Sequence, residues 1–366
     1  MKKFMALILA MAMAMTLLLT GCGGSSSGTT AAPAASAAAS AAGSAAASAA
    51  GSGDASGDPK VSFSVNNTHS GEGVQDKSMD MLVDLCNKYS GGSIQGTKIA
   101  GGSLGGEREI TEMIQLGTLE CGFISDMGID SAIGGLDWAW LPFMITSYDQ
   151  VDQYYINGWI GEELTKEMGA QGIVRVAATE NEFREVGNVK KEIASMADFK
   201  GLKIRVPEVT ACQDFYNACG AIPASISTSE TLAALEQGTV DGVDNSIYNM
   251  KSMGVLEDIK YITLLNYMYS GASIVCSEDF WNSMTDAQKA AFTKAATETG
   301  EYFRKTMREE TQTILSQGSF KVTEVAEDSQ FYKDLKAAAV QLWQQYSSKY
   351  DSTIMDQINK DFGAKS

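Results

Sequence analysis

A single histidine, His69, stands in 366 residues. No His-based metal site and no Ser-His-Asp or Cys-His pair can be assembled except around it. Cysteine is scarce as well: beyond Cys22 only Cys86, Cys121, Cys212, Cys219 and Cys276 remain, an odd total with no CxxC. Cys212 and Cys219, two turns apart on one helix, would hold their Cα atoms about 10 Å apart, beyond disulfide reach. Buried free thiols are the expectation. Basic residues are few, 28 Lys and Arg against 45 Asp and Glu, for a net charge of -17. That balance argues against nucleic acid and against docking of the domain surface on anionic lipid. It does not exclude an anionic ligand, since a few arginines in a cleft can invert the local potential. Neither a metal nor a cofactor is expected.

What is present begins with Lys2 and Lys3 and an apolar run, Phe4 to Leu19, too short to span a bilayer comfortably. This reads as an export signal over residues 1–22. It closes on Leu19-Thr20-Gly21-Cys22, which resembles the lipobox of bacterial lipoproteins and so implies a lipidated Cys22 as the mature N-terminus, holding the protein at a membrane surface. Residues 23–58 are Gly, Ser, Ala and Thr almost throughout, a flexible tether with a reach of about 30–36 Å. Residues 59–366 are enough for two α/β domains.

Within that part, Val61 to Asn66 alternates as a strand does, and Met79, Leu82, Val83 and Cys86 mark one face of a helix that Gly91-Gly92 ends. A strand near Ile94 to Ile99 leads into the glycine-rich loop 101–106 and a helix starting near Glu107. The loop lacks both GxGxxG spacing and a following Lys-Ser or Lys-Thr, so it reads as a tight turn. Cys121 to Ser125 is the next strand, with Ser125 and Asp126 at its carboxyl end. The stretch from Gly201 to Asn245 organises the rest. Leu202 to Val206 alternates apolar and basic, placing Arg205 opposite Ile204 and Val206, and Pro207 marks the strand's end. A helix beginning at Ser229/Glu230 and ending at Gly238, then a strand from Thr239 to Val243, complete a strand-helix-strand unit of an open sheet, whose ligands sit at strand ends. Thr285-Asp286-Ala287-Gln288 is a capping box opening a long helical pattern to about Leu315, broken only by Gly300. A strand from Lys321 to Ala326 and a helix from about Ser329 follow.

The runs GGSLGGEREITEMIQLGTLECGFIS, Leu141-Pro142-Phe143, GLKIRVPEV and AALEQGTVDGVDN resemble the solute receptors of tripartite ATP-independent periplasmic (TRAP) transporters, the dicarboxylate-receptor-like family, and the similarity extends over nearly all of 59–366. The resemblance implies an α/β, two-domain, periplasmic-binding-protein-like fold of type II character, with a central cleft and a long helix spanning both domains. It divides the chain into 59–181 plus about 271–311, and 182–270 plus about 312–366. It also implies a monomeric receptor that closes on a small organic acid and hands it to separate membrane subunits, performing no chemistry. By the same resemblance Arg205 makes a two-pronged ion pair with the ligand carboxylate, Arg184 is a second ligand arginine, Asn245 contacts ligand, and Ser125 and Asp126 touch it from the first domain. Guanidinium suits that role, being planar, permanently charged and able to donate two parallel bonds. Thr228 stands where several relatives carry an aromatic ring over the ligand, and Asp126 would repel a dianion unless it faces a donor. Tyr248, Tyr267 and Tyr269 are candidates for ligand contact or core, with Thr68 and His69 behind them. A membrane-tethered sensory co-receptor and a secreted hydrolase are the rival readings.

Overall fold

The computed structural model describes residues 54–69 and 71–363; the expected signal, Cys22 and the tether as far as residue 53 lie outside the described residues. In strand β1 (Val61–Asn67) alternation buries Phe63 and Val65. Helix α1 (Val74–Tyr89) buries Met79, Leu82 and Cys86 along one stripe and stops at Ser90, after which Gly91 and Gly92 take positive φ. Next come β2 (Ile94–Lys98), α2 (Glu107–Gln115), β3 (Cys121–Ser125), α3 (Asp126–Ile133), the short turn α4 (Tyr148–Gln150), α5 (Trp159–Gly169) and the long strand β4 (Ile173–Phe183). The glycine loop before α2 is tight: a Cβ on Gly101 would stand 1.9 Å from the His69 carbonyl oxygen.

The chain continues through β5 (Glu185–Asn188), β6 (Lys203–Val206), α6 (Thr210–Ala218), β7 (Ile222–Ser225), α7 (Thr231–Glu236), β8 (Gly242–Asn245), α8 (Ile247–Ser252) and β9 (Tyr261–Leu264). It closes with β10 (Tyr269–Ser277), α9 (Glu278–Ser283), α10 (Asp286–Gln317), β11 (Lys321–Glu324), α11 (Gln330–Tyr346) and α12 (Ser352–Phe362). Two sheets result, ordered β2-β1-β3-β10-β4 and β11-β9-β5-β8-β6-β7. Each carries one strand antiparallel to its neighbours, β10 in the first and β5 in the second. Those are the strands entered directly from the other sheet.

Only Arg184 separates β4 from β5, so the chain passes from one sheet to the other almost without a loop. The return runs through residues 265–268, and the Arg184 N–H donates to the Met268 carbonyl (2.9 Å), tying the two crossings side by side. Each bends at a residue in the left-handed region, Glu182 (φ 62) and Asn266 (φ 45). The 32-residue helix α10, capped by Thr285 and Gln288 as its capping box requires, packs on α1 and β4 and reaches α8 beside the second sheet. Gly300 allows the approach, because a Cβ there would meet the Ala178 carbonyl oxygen at 2.5 Å. Leu141-Pro142-Phe143 also joins distant parts. The Trp343 indole N–H donates to the Pro142 carbonyl (2.8 Å), and Phe143 packs edge-on against Tyr332.

One expected element is displaced and one element is additional. The strand placed at Thr239 to Val243 is observed at Gly242–Asn245, because the Thr239 and Val240 N–H groups turn back to the Ala234 carbonyl and close the end of α7. A further helix, α12, follows α11 and packs on the first half of the chain: Phe362 lies edge-on to Tyr154, and Trp159 donates to Asp361 (3.0 Å). The five later cysteines are free and buried, as expected. Among the described residues no helix is long and apolar enough to cross a membrane.

Candidate functional site

Strands β6, β7 and β8 run parallel, with Arg205 facing Ala224 and Val243 in register, so their carboxyl ends lie together. Arg205 leaves the Ile204 and Val206 face but does not reach solvent, its exposure being 2%. Among the described residues its one hydrogen bond runs from Nε to the Ile226 carbonyl (2.9 Å), and it forms no ion pair with a carboxylate. Burial, and after it the like charge of Arg184, push its pKa down to about 10, against a partial pull from Asp244. The group is therefore a buried cation that keeps its charge at neutral pH. Such a charge is costly unless it is paired.

Arg184 is buried too, but it is paired. Its Nε and Nη2 atoms reach Asp244 Oδ2 at 3.1 and 3.0 Å, and Nη2 donates to the Asp244 carbonyl at 2.9 Å. Burial, the largest single influence, lowers its pKa; the Asp244 carboxylate, through its charge and its hydrogen bond and together with neighbouring groups, reverses this and the net direction is up. Tyr267 donates to the same Oδ2 (3.1 Å). Asp244 thus stands between two guanidinium groups, bonded to one and attracting the other. Asn245, next along β8, accepts from the Ser246 N–H (2.9 Å) and stays nearly buried.

On the first sheet, Ser125 caps α3 by accepting from the Gly128 N–H (2.9 Å), while its own N–H and hydroxyl donate to Glu107 at 2.7 and 2.6 Å. Burial raises the Glu107 pKa, and the Arg184 charge is felt there as an opposing influence, so this carboxylate lies within electrostatic reach of the arginine pair. The remaining candidates are engaged elsewhere. Asp126 is fully buried, accepts from Tyr155 and from Ser273 (2.8 Å), and is pulled down by Arg175 against a larger upward push from burial. Tyr248 accepts the Val74 N–H (2.9 Å), joining α8 to the first residue of α1. Tyr269 donates to Glu180 (3.1 Å) and packs edge-on to Tyr155 and Phe183. Thr228 is exposed and accepts from the Thr231 N–H at the start of α7. Thr68 lies within 3.4 Å of the His69 ring, and burial pushes the His69 pKa down to about 4.

Sequence reasoning passed over Asp244 and Glu107. A buried arginine at a sheet crossing demands a carboxylate, and the acidic residue beside Asn245 was the available signal for the first. The LGGERE turn carried the second without showing what it holds.

A separate cavity of about 180 Å³ lies at the crossing, lined by Tyr148, Glu182, Phe183, Glu185, Asn266, Thr311 and neighbours. It is walled by carboxyl groups and contains no guanidinium, so it does not suit an anion. Glu182 accepts from Thr311 (2.6 Å), Glu185 from the Asn266 N–H (3.1 Å), and Glu180 is held by Arg308 at 2.7 and 2.8 Å. Burial pushes both Glu182 and Glu185 up to about 8.

The profile of the family described as bacterial extracellular solute-binding protein, family 7 (DctP) matches residues 65–349. The chain belongs to that family. Among curated relatives, a solute-binding protein of Verminephrobacter eiseniae is 29% identical over 233 residues, 64% of this chain and 68% of that one. A C4-dicarboxylate-binding protein of Bacillus subtilis is 29% identical over 225 residues, 60% of this chain and 63% of that relative. Solved structures place this family-7 chain among TRAP periplasmic solute-binding proteins. One from Ochrobactrum anthropi is 26% identical with a TM-score of 0.76, covering 83% of this chain and 95% of that one. Another, from a Polaromonas species and bound to D-erythronate, is 25% identical with a TM-score of 0.74, covering 82% and 98%.

Proposed function

We propose that this family-7 protein is the extracytoplasmic receptor of a TRAP-type transporter, capturing a small organic acid between its two lobes and delivering it to the membrane subunits without altering it. The observation that carries this reading is Arg205, a buried guanidinium at a sheet end whose only bond among the described residues is to a backbone carbonyl. A ligand carboxylate would supply two parallel charge-assisted bonds and the missing negative charge. Arg184, Asn245 and Ser125 complete the proposed contacts. In the same reading, lobe one comprises 59–181 and about 271–311, lobe two comprises the remainder, and Cys22 carries the lipid that anchors a monomer outside the cytoplasmic membrane.

The test is mass spectrometry of small molecules released from protein purified without added ligand, followed by calorimetry with the acid identified. Arg205→Ala should weaken binding by about 2–5 kcal/mol, at least roughly thirtyfold, while leaving the thermal midpoint unchanged or raised. Unchanged affinity in that variant would refute the assignment.

A further inference from the structure

Resting on that reading, we infer that the site is charge-matched to a monocarboxylate and rejects dicarboxylates, and that Asp244 is the residue that sets this. The inference follows from counting the buried guanidinium groups and their partners. Arg184 spends its Nε and Nη2 donors on Asp244; of the part-buried arginines, Arg308 is held by Glu180, while Arg175 and Arg304 donate to Ser273 and to the Ala178 carbonyl without an ion pair. Of the two fully buried arginines, Arg205 is the one that has no carboxylate partner among the described residues. The Arg184, Arg205 and Asp244 group therefore carries one net positive charge, which one ligand carboxylate neutralises.

Among the described residues a second carboxylate finds no second fully buried arginine without an ion pair. The ionisable groups that the first sheet brings nearest are Glu107, holding Ser125 and sensing Arg184, and Asp126 behind it. Arg175 donates to Ser273 (2.8 Å) and the Gly161 carbonyl (3.3 Å) and senses the Asp126 charge, which offsets much of what it could offer a ligand although its Nη2 has no partner. A dianion would therefore bury one negative charge among carboxylates. Hydroxyl groups, which can donate to Glu107, are the substituents the first sheet accommodates best.

The experiment is calorimetry at pH 7.5 on the full protein with matched pairs that differ by one carboxylate in place of a hydroxymethyl group: D-erythronate and meso-tartrate, 4-hydroxybutyrate and succinate, galactonate and galactarate. The expected result is binding of at least one monoacid, with its diacid weaker by roughly a hundredfold or more. Asp244→Asn, which raises the net charge of the group, should narrow that gap by at least about tenfold. A diacid bound as tightly as its monoacid by the wild-type protein would overturn the inference while leaving carboxylate binding intact. If no member of any pair binds and no acid is released from the purified protein, both the inference and the carboxylate reading fall. The wild-type pairs decide the matter whether or not Asp244→Asn folds.

Discussion

Two buried charged regions lie close together in sequence and are unbalanced in opposite directions. At the crossing, Glu180, Glu182 and Glu185 follow one another along the chain and Arg308 is bonded to Glu180 alone; at the end of β6, Arg184 is bonded to one carboxylate, Asp244, whose charge also attracts Arg205. Burial penalises the charged form in both places, but the two chemistries relieve it differently. A carboxyl group can take a proton, and Glu182 and Glu185, pushed up to about 8, do so near neutral pH. Arg205, lowered only to about 10, stays charged across the same range. An acidic excess is absorbed by the solvent's protons, whereas a guanidinium excess calls for an anion from outside. The first region is thus a proton-linked part of the fold, and the second is suited to binding.

After Arg205→Ala, replacing Arg205 by lysine should give the largest effect, because it makes the second region behave as the first does. A buried lysine can lose its proton and cannot make the two-pronged contact. Affinity for the identified acid should fall by about 10- to 100-fold at pH 7 and fall further as pH rises to 9, where the wild type changes little. Flat, wild-type-like affinity across that range in calorimetry would erase the distinction drawn between the regions.

The next effect concerns stability. The folded-state values of Glu182 and Glu185 lie above their ordinary value of 4.5, so the folded state binds the extra protons between the two limits. Their contribution is fully present below about 4.5 and is lost as pH rises through about 8. His69 acts oppositely: its folded value of about 4 lies below 6.5, so acidification from about 6.5 to 4 favours the unfolded chain. With two glutamates against one histidine, these groups should put the highest thermal midpoint near pH 4.5, with a fall as pH rises to about 8. Glu182→Gln should remove part of the alkaline fall, on the order of a few kcal/mol at most. A variant with the wild-type slope would show that this carboxyl group is ionised throughout.

Tyr248→Phe should have the smallest effect. It removes the acceptor of the Val74 N–H and with it one tie between α8 and α1, worth about 0.5–1.5 kcal/mol. Stopped-flow measurements should show a roughly two- to tenfold faster release of ligand with little change in capture. A loss as large as that of Arg205→Ala would mean that Tyr248 touches ligand directly.

Much of the scaffold was legible because its signals are local. Alternation located β1 and β6, Gly91-Gly92 marked the end of α1, and the Thr285/Gln288 box opened α10. The charge pattern of the site was not legible, because its partners are remote in sequence. Asp244 lies 60 residues from Arg184, and Asp126 lies 29 from Tyr155 and 147 from Ser273. Glu182 and Asn266 were hidden for another reason: nothing in a glutamate or an asparagine between ordinary strand residues announces a positive φ, which the packing of the two crossings imposes.

The five buried thiols have a practical consequence. Burial pushes Cys212 and Cys219 up to about 12, and all five among the described residues are covered, so alkylating dyes should not reach them in the folded protein. A cysteine placed on an exposed position of α2 and another beside α7 would then be selectively reactive, and a fluorophore pair attached there could report opening and shutting of single molecules on a native background.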